Sequence, residues 1–195
     1  MWTGRVADFN KDGKLDVAVV GQFVNILLGN GNGTFYGRKA YGVAIEPHSV
    51  KTADFNNDTK LDLAVPNEGS HNVSILLGNG DGTFQDQKEY SAGDGPYDIT
   101  IGDFNNDTKL DLAVADYNSN SVSVLFGNGD GTFQQEIAYN SSNSPKSVIA
   151  GDFNNDGKLD LAVANSAEGY GKSNQHLSTS DGFIRSVTIY LNSCS

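Results

Sequence analysis

The sequence predicts an all-β fold built from β-propeller blades of four antiparallel strands each, and three observations carry that prediction. A twelve-residue acidic motif recurs four times, a glycine-rich turn recurs three times, and no window sustains a helical period of 3.6. Four short strands per unit, repeated every 40–50 residues, is the pattern of a propeller blade. About four repeats fill the chain, at roughly 1–46, 47–95, 96–144 and 145–195, within a single domain over 1–195. The expected architecture is part of a larger propeller, or one that self-association of the chain completes.

The acidic motif comes first in each unit. DFNKDGKLDVAV begins at Asp8, DFNNDTKLDLAV at Asp54 and again at Asp103, and DFNNDGKLDLAV at Asp152, at spacings of 46, 49 and 49 residues. In the fourth copy, residues 147–151 read as the strand entering the motif and 159–164 as the strand leaving it. Residues 121–126 alternate polar and apolar side chains, the period of a half-buried strand. Next come LLGNGNGTF from Leu27, LLGNGDGTF from Leu76 and LFGNGDGTF from Leu125, whose Asn-Gly and Asp-Gly pairs supply the positive φ of a tight turn. The fourth strand is expected to begin at Thr132-Phe133 and run towards Tyr139. Pro47, Pro96 and Pro145 open successive units.

The copies also differ. The first is three residues shorter between its acidic loop and its turn, and the fourth carries a polar insertion from Asn165 to Ser186, expected to be an exposed loop. Met1 aligns with the unit-opening prolines, and the fourth strand of the last unit is expected to be missing, giving about three and three-quarter blades.

Within each acidic motif, oxygen-bearing side chains occupy positions 1, 3, 5 and 9, as Asp, Asn, Asp and Asp. Position 7 is lysine, which can offer a cation only its backbone carbonyl. Calcium takes six to eight oxygens at about 2.3–2.6 Å, and alternate residues of a tightly wound loop can supply them. Magnesium resists such dehydration, and zinc prefers His or Cys. An EF-hand is excluded because position 12 is valine in a strand-like run rather than a bidentate glutamate ahead of a helix. The competing reading is a set of metal-free Asx turns. Against it, twelve of the 24 acidic residues lie in these four loops, and four calcium ions would move the net charge from −11 to −3. Asp81 and Asp130, in the glycine-rich turns, are explained by hairpin chemistry.

These motifs resemble the FG-GAP/VCBS repeat of integrin-α-type β-propellers, which also occurs in bacterial surface proteins and some fungal lectins. The resemblance covers nearly the whole chain apart from the insertion, and it implies one calcium ion in the loop between the first two strands of each blade. The implied metal ligands are Asp8, Asn10, Asp12, the Lys14 carbonyl and Asp16 in the first loop, and Asp54, Asn56, Asp58, the Lys60 carbonyl and Asp62 in the second. In the third they are Asp103, Asn105, Asp107, the Lys109 carbonyl and Asp111, and in the fourth Asp152, Asn154, Asp156, the Lys158 carbonyl and Asp160. Position 6 departs from the family's usual glycine at Thr59 and Thr108, so those two loops are expected to be less relaxed than the ones holding Gly13 and Gly157. Family propellers close with about seven blades, more than this chain carries.

The remaining composition narrows the function. A net charge of −11 with a pI near 4.4 repels phosphate backbones, so no nucleic-acid partner is expected. No apolar run of 18 residues occurs, so no membrane insertion is expected, and no signal-peptide pattern precedes residue 10. The single cysteine, Cys194, excludes an internal disulfide framework. His48, His71 and His176 sit in unrelated contexts and read as surface residues, and no nucleophile-and-base arrangement is recognisable, so no enzyme is expected. Tyr117 and Tyr170 read as isolated exposed tyrosines on loops. The leading expectation is a calcium-binding, non-enzymatic module for extracellular or cell-surface adhesion and ligand recognition, with a protein or carbohydrate as partner. A carbohydrate-binding lectin and an accessory module of a secreted enzyme are the alternatives.

Overall fold

The computed structural model describes residues 3–141, 144–166 and 186–190. It is all-β, with one 3₁₀ turn at Glu68–Ser70 and no α-helix among these residues. Strands β1 (Thr3–Ala7), β2 (Asp16–Val20), β3 (Val24–Gly29) and β4 (Phe35–Tyr41) form the first sheet. The second comprises β5 (Lys51–Ala53), β6 (Asp62–Asn67), β7 (Asn72–Leu76) and β8 (Lys88–Ser91). The third comprises β9 (Pro96–Gly102), β10 (Asp111–Asp116), β11 (Ser121–Leu125) and β12 (Ile137–Asn140). The fourth has three described strands, β13 (Pro145–Gly151), β14 (Asp160–Asn165) and β15 (Ser186–Tyr190). Every sheet runs antiparallel in sequence order, which is the meander of a propeller blade. The insertion between β14 and β15 that was expected to be an exposed loop, with Tyr170 and His176, and the C-terminal Cys194 lie outside the described residues.

The second strand of each blade explains the stacking. An apolar run without alternation is a strand covered on both faces, and β6 and β10 are buried at every position. In β10, Leu112 and Val114 turn towards the second blade while Ala113 and Ala115 turn towards the fourth. Three apolar layers result, one at each junction between successive blades. Aromatic edges tighten two of them: Phe9 meets Phe84 at 5.6 Å between centroids and 70°, and Phe55 meets Phe133 at 5.5 Å and 74°. Such pairs contribute about 0.5–1.5 kcal/mol beyond the area they bury.

One strand departs from the sequence expectation, and another is shorter than its counterparts in the neighbouring blades. The fourth strand of the third blade was expected from Thr132-Phe133, but it spans Ile137–Asn140, preceded by an isolated bridge between Gly127 and Phe133. The polar stretch 134–136 offers no apolar side chain to hold a longer pairing against the neighbouring strand. β5 has three residues where β9 and β13 have seven. Its partner strand contains Pro66, which has no N–H to donate to the inner strand, and the chain compensates through the His48 N–H bonding the Pro66 carbonyl at 3.1 Å.

Candidate metal centres

The order of strands puts the four acidic loops and the glycine-rich turns at one end of the blades and the connections between blades at the other. The loops repeat a single hydrogen-bond lattice. In the third, the carboxylate of Asp103 receives the N–H of Asp107 at 3.1 Å and of Thr108 at 2.8 Å. Asn105 Oδ1 receives the same Asp107 N–H at 3.0 Å, and Asp107 Oδ1 receives the N–H of Lys109 at 2.9 Å. The equivalent bonds recur around Asp8, Asp54 and Asp152. Oxygens from positions 1 and 3 therefore converge on one N–H in every copy. The winding requires left-handed backbone at position 4, where φ is near +58° in all four loops, and at position 6. Gly13 and Gly157 take φ of 78° and 81° without strain, whereas Thr59 and Thr108 are held at 65° and 69°.

Position 9 plays a different structural part from positions 1, 3 and 5. Asp16, Asp62, Asp111 and Asp160 are fully buried. Asp62 accepts the N–H of Phe55 at 2.8 Å on one oxygen and the N–H of Gly78 at 2.8 Å on the other. Asp16 does the same with Phe9 and Gly29, and Asp111 with Phe104 and Gly127. These carboxylates clamp the acidic loop to the glycine-rich turn 16 residues downstream in the second and third blades. The turn glycine must be glycine, because a Cβ at Gly78 or Gly127 would run into the carbonyl of Leu61 or Leu110. The acidic motif alone does not announce this clamp; its signal is the pairing of position 9 with a glycine of the downstream turn, 13 residues on in the first blade and 16 in the second and third.

Electrostatics separate the same two groups. The Lys109 N–H holds the Asp107 carboxyl below its usual value, the Lys14 N–H does so for Asp12, and the Gly157 N–H for Asp152. For Asp58, burial acts the other way but the N–H and ammonium of Lys60 prevail. Burial instead pushes Asp62 up to about 6 despite the N–H groups of Gly78 and Phe55, and the charges of Asp58 and Asp54 add to the rise. Asp111 is raised for the same reason, with Asp107 and Asp103 adding to it. The carboxylates of one loop thus sense each other's charge. The lysine at position 7 bends back towards position 5, with Nζ–Oδ2 distances of 3.5, 3.0 and 3.6 Å in the first three loops. Among the described residues, no three His, Cys, Asp or Glu side chains stand close enough together to form a ready metal cage. Asp81 and Asp130 are occupied with the turn, each accepting from the N–H of the threonine two residues on at 2.9 Å.

At the opposite end, Gly21, Phe23, Ile45, Pro47, His48 and Glu68 line a groove of about 900 Å³. His48 is not the plain surface residue expected: it is half-buried, paired with Glu68, and stacked on Tyr97 at 4.2 Å. Tyr117 is not isolated either, because it lies 6.1 Å from Tyr97 with Lys146 Nζ 5.0 Å from its centroid. His48, Tyr97 and Lys146 each follow a unit-opening proline, so the repeat itself brings them into one row. His71, the other described histidine, is exposed and pairs with Asp94 at 3.0 Å.

Tandem antiparallel sheets, each with an acidic loop between its first two strands, define a propeller-type repeat protein. The chain belongs to the FG-GAP-like repeat family, whose profile matches residues 8–65, 54–114 and 103–163. No curated protein matches the chain. Among solved structures it is similar to a Tc holotoxin pore of Photorhabdus luminescens, with 14% identity and a TM-score of 0.51 over 83% of this chain. It is also similar to a functionally unknown protein from Desulfotomaculum acetoxidans (16%, TM-score 0.57) and one of unknown function from Bacteroides caccae (14%, TM-score 0.54), each over 96% of this chain. The chain spans 8%, 56% and 71% of those three chains respectively. At these identities the likeness is one of fold.

Proposed function

We propose that the chain is a non-enzymatic recognition module of the cell surface or extracellular space, in which calcium in each acidic loop rigidifies the blades. The observation that carries this reading is the fourfold repetition of one loop lattice with three aspartates in each copy, against one lysine in three copies and two in the first. The donor set is all oxygen and suits a hard divalent ion. Each carboxylate oxygen engaged with an N–H keeps a further lone pair, so Asp, Asn and Asp at positions 1, 3 and 5, the carbonyl at position 7 and the aspartate at position 9 would hold the ion. Bound calcium would supply two positive charges to a loop whose own lysine supplies one. Recognition is placed on the opposite end, at the groove beside His48 and the Tyr97–Tyr117 row, where aromatic faces and carboxylates can meet a sugar or a peptide.

Isothermal titration calorimetry tests the metal reading: about four ions should bind with dissociation constants on the order of 10⁻⁴–10⁻³ M, as in extracellular modules. An unchanged melting temperature on adding EDTA to the calcium-loaded protein would refute it. A glycan array read in calcium separates the ligand classes, since sugar binding lost in Tyr117→Ala assigns a carbohydrate.

A further inference from the structure

The contact that joins successive blades leaves one unmatched half at each end of the described arc. Phe9 and Phe55, second residues of their acidic loops, are each 3% exposed because Phe84 and Phe133 of the following blade cover them. Those covering rings are themselves 6% and 8% exposed. Phe153, at the same position of the fourth loop, is 44% exposed, and Phe35, the ring of the first blade corresponding to Phe84 and Phe133, is 47% exposed.

The backbone and a second apolar residue tell the same story. Gly82 and Gly131 donate to the Phe9 and Phe55 carbonyls of the preceding blade at 3.0 Å, and a Cβ at either would lie 2.7 or 2.8 Å from Leu28 or Leu77 of that blade. Gly33 occupies the same turn position in the first blade, with φ of 87°, and a Cβ there would meet nothing within 4 Å. Leu15 is 65% exposed, whereas its counterparts Leu61, Leu110 and Leu159 pack into the three junctions. The first blade therefore shows the surface that receives a preceding blade, and the fourth shows the aromatic that a following blade covers.

We propose that a second copy of this chain docks head to tail, packing its Phe35 and Gly33 turn onto the Phe153 loop of the first. One sequence carries both halves of the contact, and the internal junctions supply its template. Two copies can make both junctions at once, and four blades from each close a ring of about eight, within the range of known propellers. The proposal rests on blade packing, not on the metal reading. Each copy carries −11, so association is favoured at physiological ionic strength, where that repulsion is screened.

Sedimentation of the 195-residue chain in calcium should show a reversible dimer at about 100 μM, of twice 20.7 kDa. Phe35→Glu and Phe153→Glu should each weaken it by about 30-fold or more, the loss expected of a buried aromatic anchor. Both rings are exposed in the single chain, so the variants should keep its circular dichroism and melting behaviour; Leu15→Glu gives a second variant on the same open face. An equimolar mixture of the two phenylalanine variants should recover dimer, because one junction then joins an intact Phe153 to an intact Phe35. A monomeric parent at that concentration would overturn the proposal, as would a mixture that associates no better than the separate variants.

Discussion

The hydroxyl of Ser123 donates to Asp116 Oδ2 at 2.7 Å inside the third blade, where Asp116 is fully buried. Ser121 adds a bond at 3.3 Å to the same oxygen, while Asp116 Oδ1 has no partner among the described residues. Burial pushes this carboxyl up to about 7, and the two hydroxyls offset only part of that rise. The unfolded chain releases the same proton near pH 4, so between about pH 4 and 7 the native state binds more protons than the unfolded state. Stability should fall as pH rises through that window and level off above it. The corresponding residues of the neighbouring blades are Asn67 and Asn165, both neutral. Asp116→Asn should match the parent near pH 4 and exceed it by about 1–3 kcal/mol near pH 8, measured by urea unfolding. Parallel pH profiles for the two proteins would rule this out.

The clamp at position 9 should matter whether or not metal is bound. Asp111→Asn keeps the shape but turns one acceptor into a donor, leaving the N–H of Gly127 or Phe104 facing another N–H in a buried site. A loss of about 1–3 kcal/mol is expected in EDTA, from the clamp alone, and a larger one in calcium, where a ligand carboxylate is lost as well. A loss confined to calcium would make Asp111 a ligand and little else.

Position 1 should behave in the opposite way. Asp103→Ala removes a carboxylate that a cation would need, but it also relieves repulsion felt at Asp111. In saturating calcium the variant should melt below the parent, and in EDTA at or above it. Asp86→Ala, at an exposed site outside the loops, should show no such crossover. Equal destabilisation of Asp103→Ala in both conditions would reduce Asp103 to a turn-capping residue.

Strain at position 6 is testable by substitution towards glycine. Thr108 is β-branched and sits at φ of 69°, a conformation costing about 1–2 kcal/mol for a residue bearing a Cβ. Thr108→Gly relieves that strain against a glycine entropy cost of about 0.5–1 kcal/mol, so the denaturant midpoint should rise modestly. Thr59→Gly should gain less, because Thr59 Oγ1 accepts a bond from Lys11 Nζ of the first blade at 3.0 Å. A fall in the Thr108→Gly midpoint would mean the threonine makes a compensating contact.

Much of this protein was legible in its sequence because a repeat states its fold several times over. The fourfold DFN motif, the recurring GNG turns and the absence of helical period are local properties, and a four-stranded meander follows from them with little help from distant residues. The apolar LAV runs likewise announce strands covered on both sides. Position 6 was readable too, since a threonine where glycine is usual must carry its Cβ into a left-handed turn. Tertiary structure decided what depends on which residues meet across blades. It made position 9 a buried clamp onto Gly29, Gly78 and Gly127, because two motifs separated in the chain converge only once the strands pair. Stacking of one blade on the next carried His48 and Tyr117 from expected surface into an aromatic row, and folding buried Asp116 beside Ser121 and Ser123, where loss of water raises its affinity for a proton. Stacking also buries Phe9 and Phe55 while leaving Phe35 and Phe153 open, although all four belong to the same repeated motifs: a sequence repeat assigns every copy the same side chain, but burial depends on whether a neighbour stands against it.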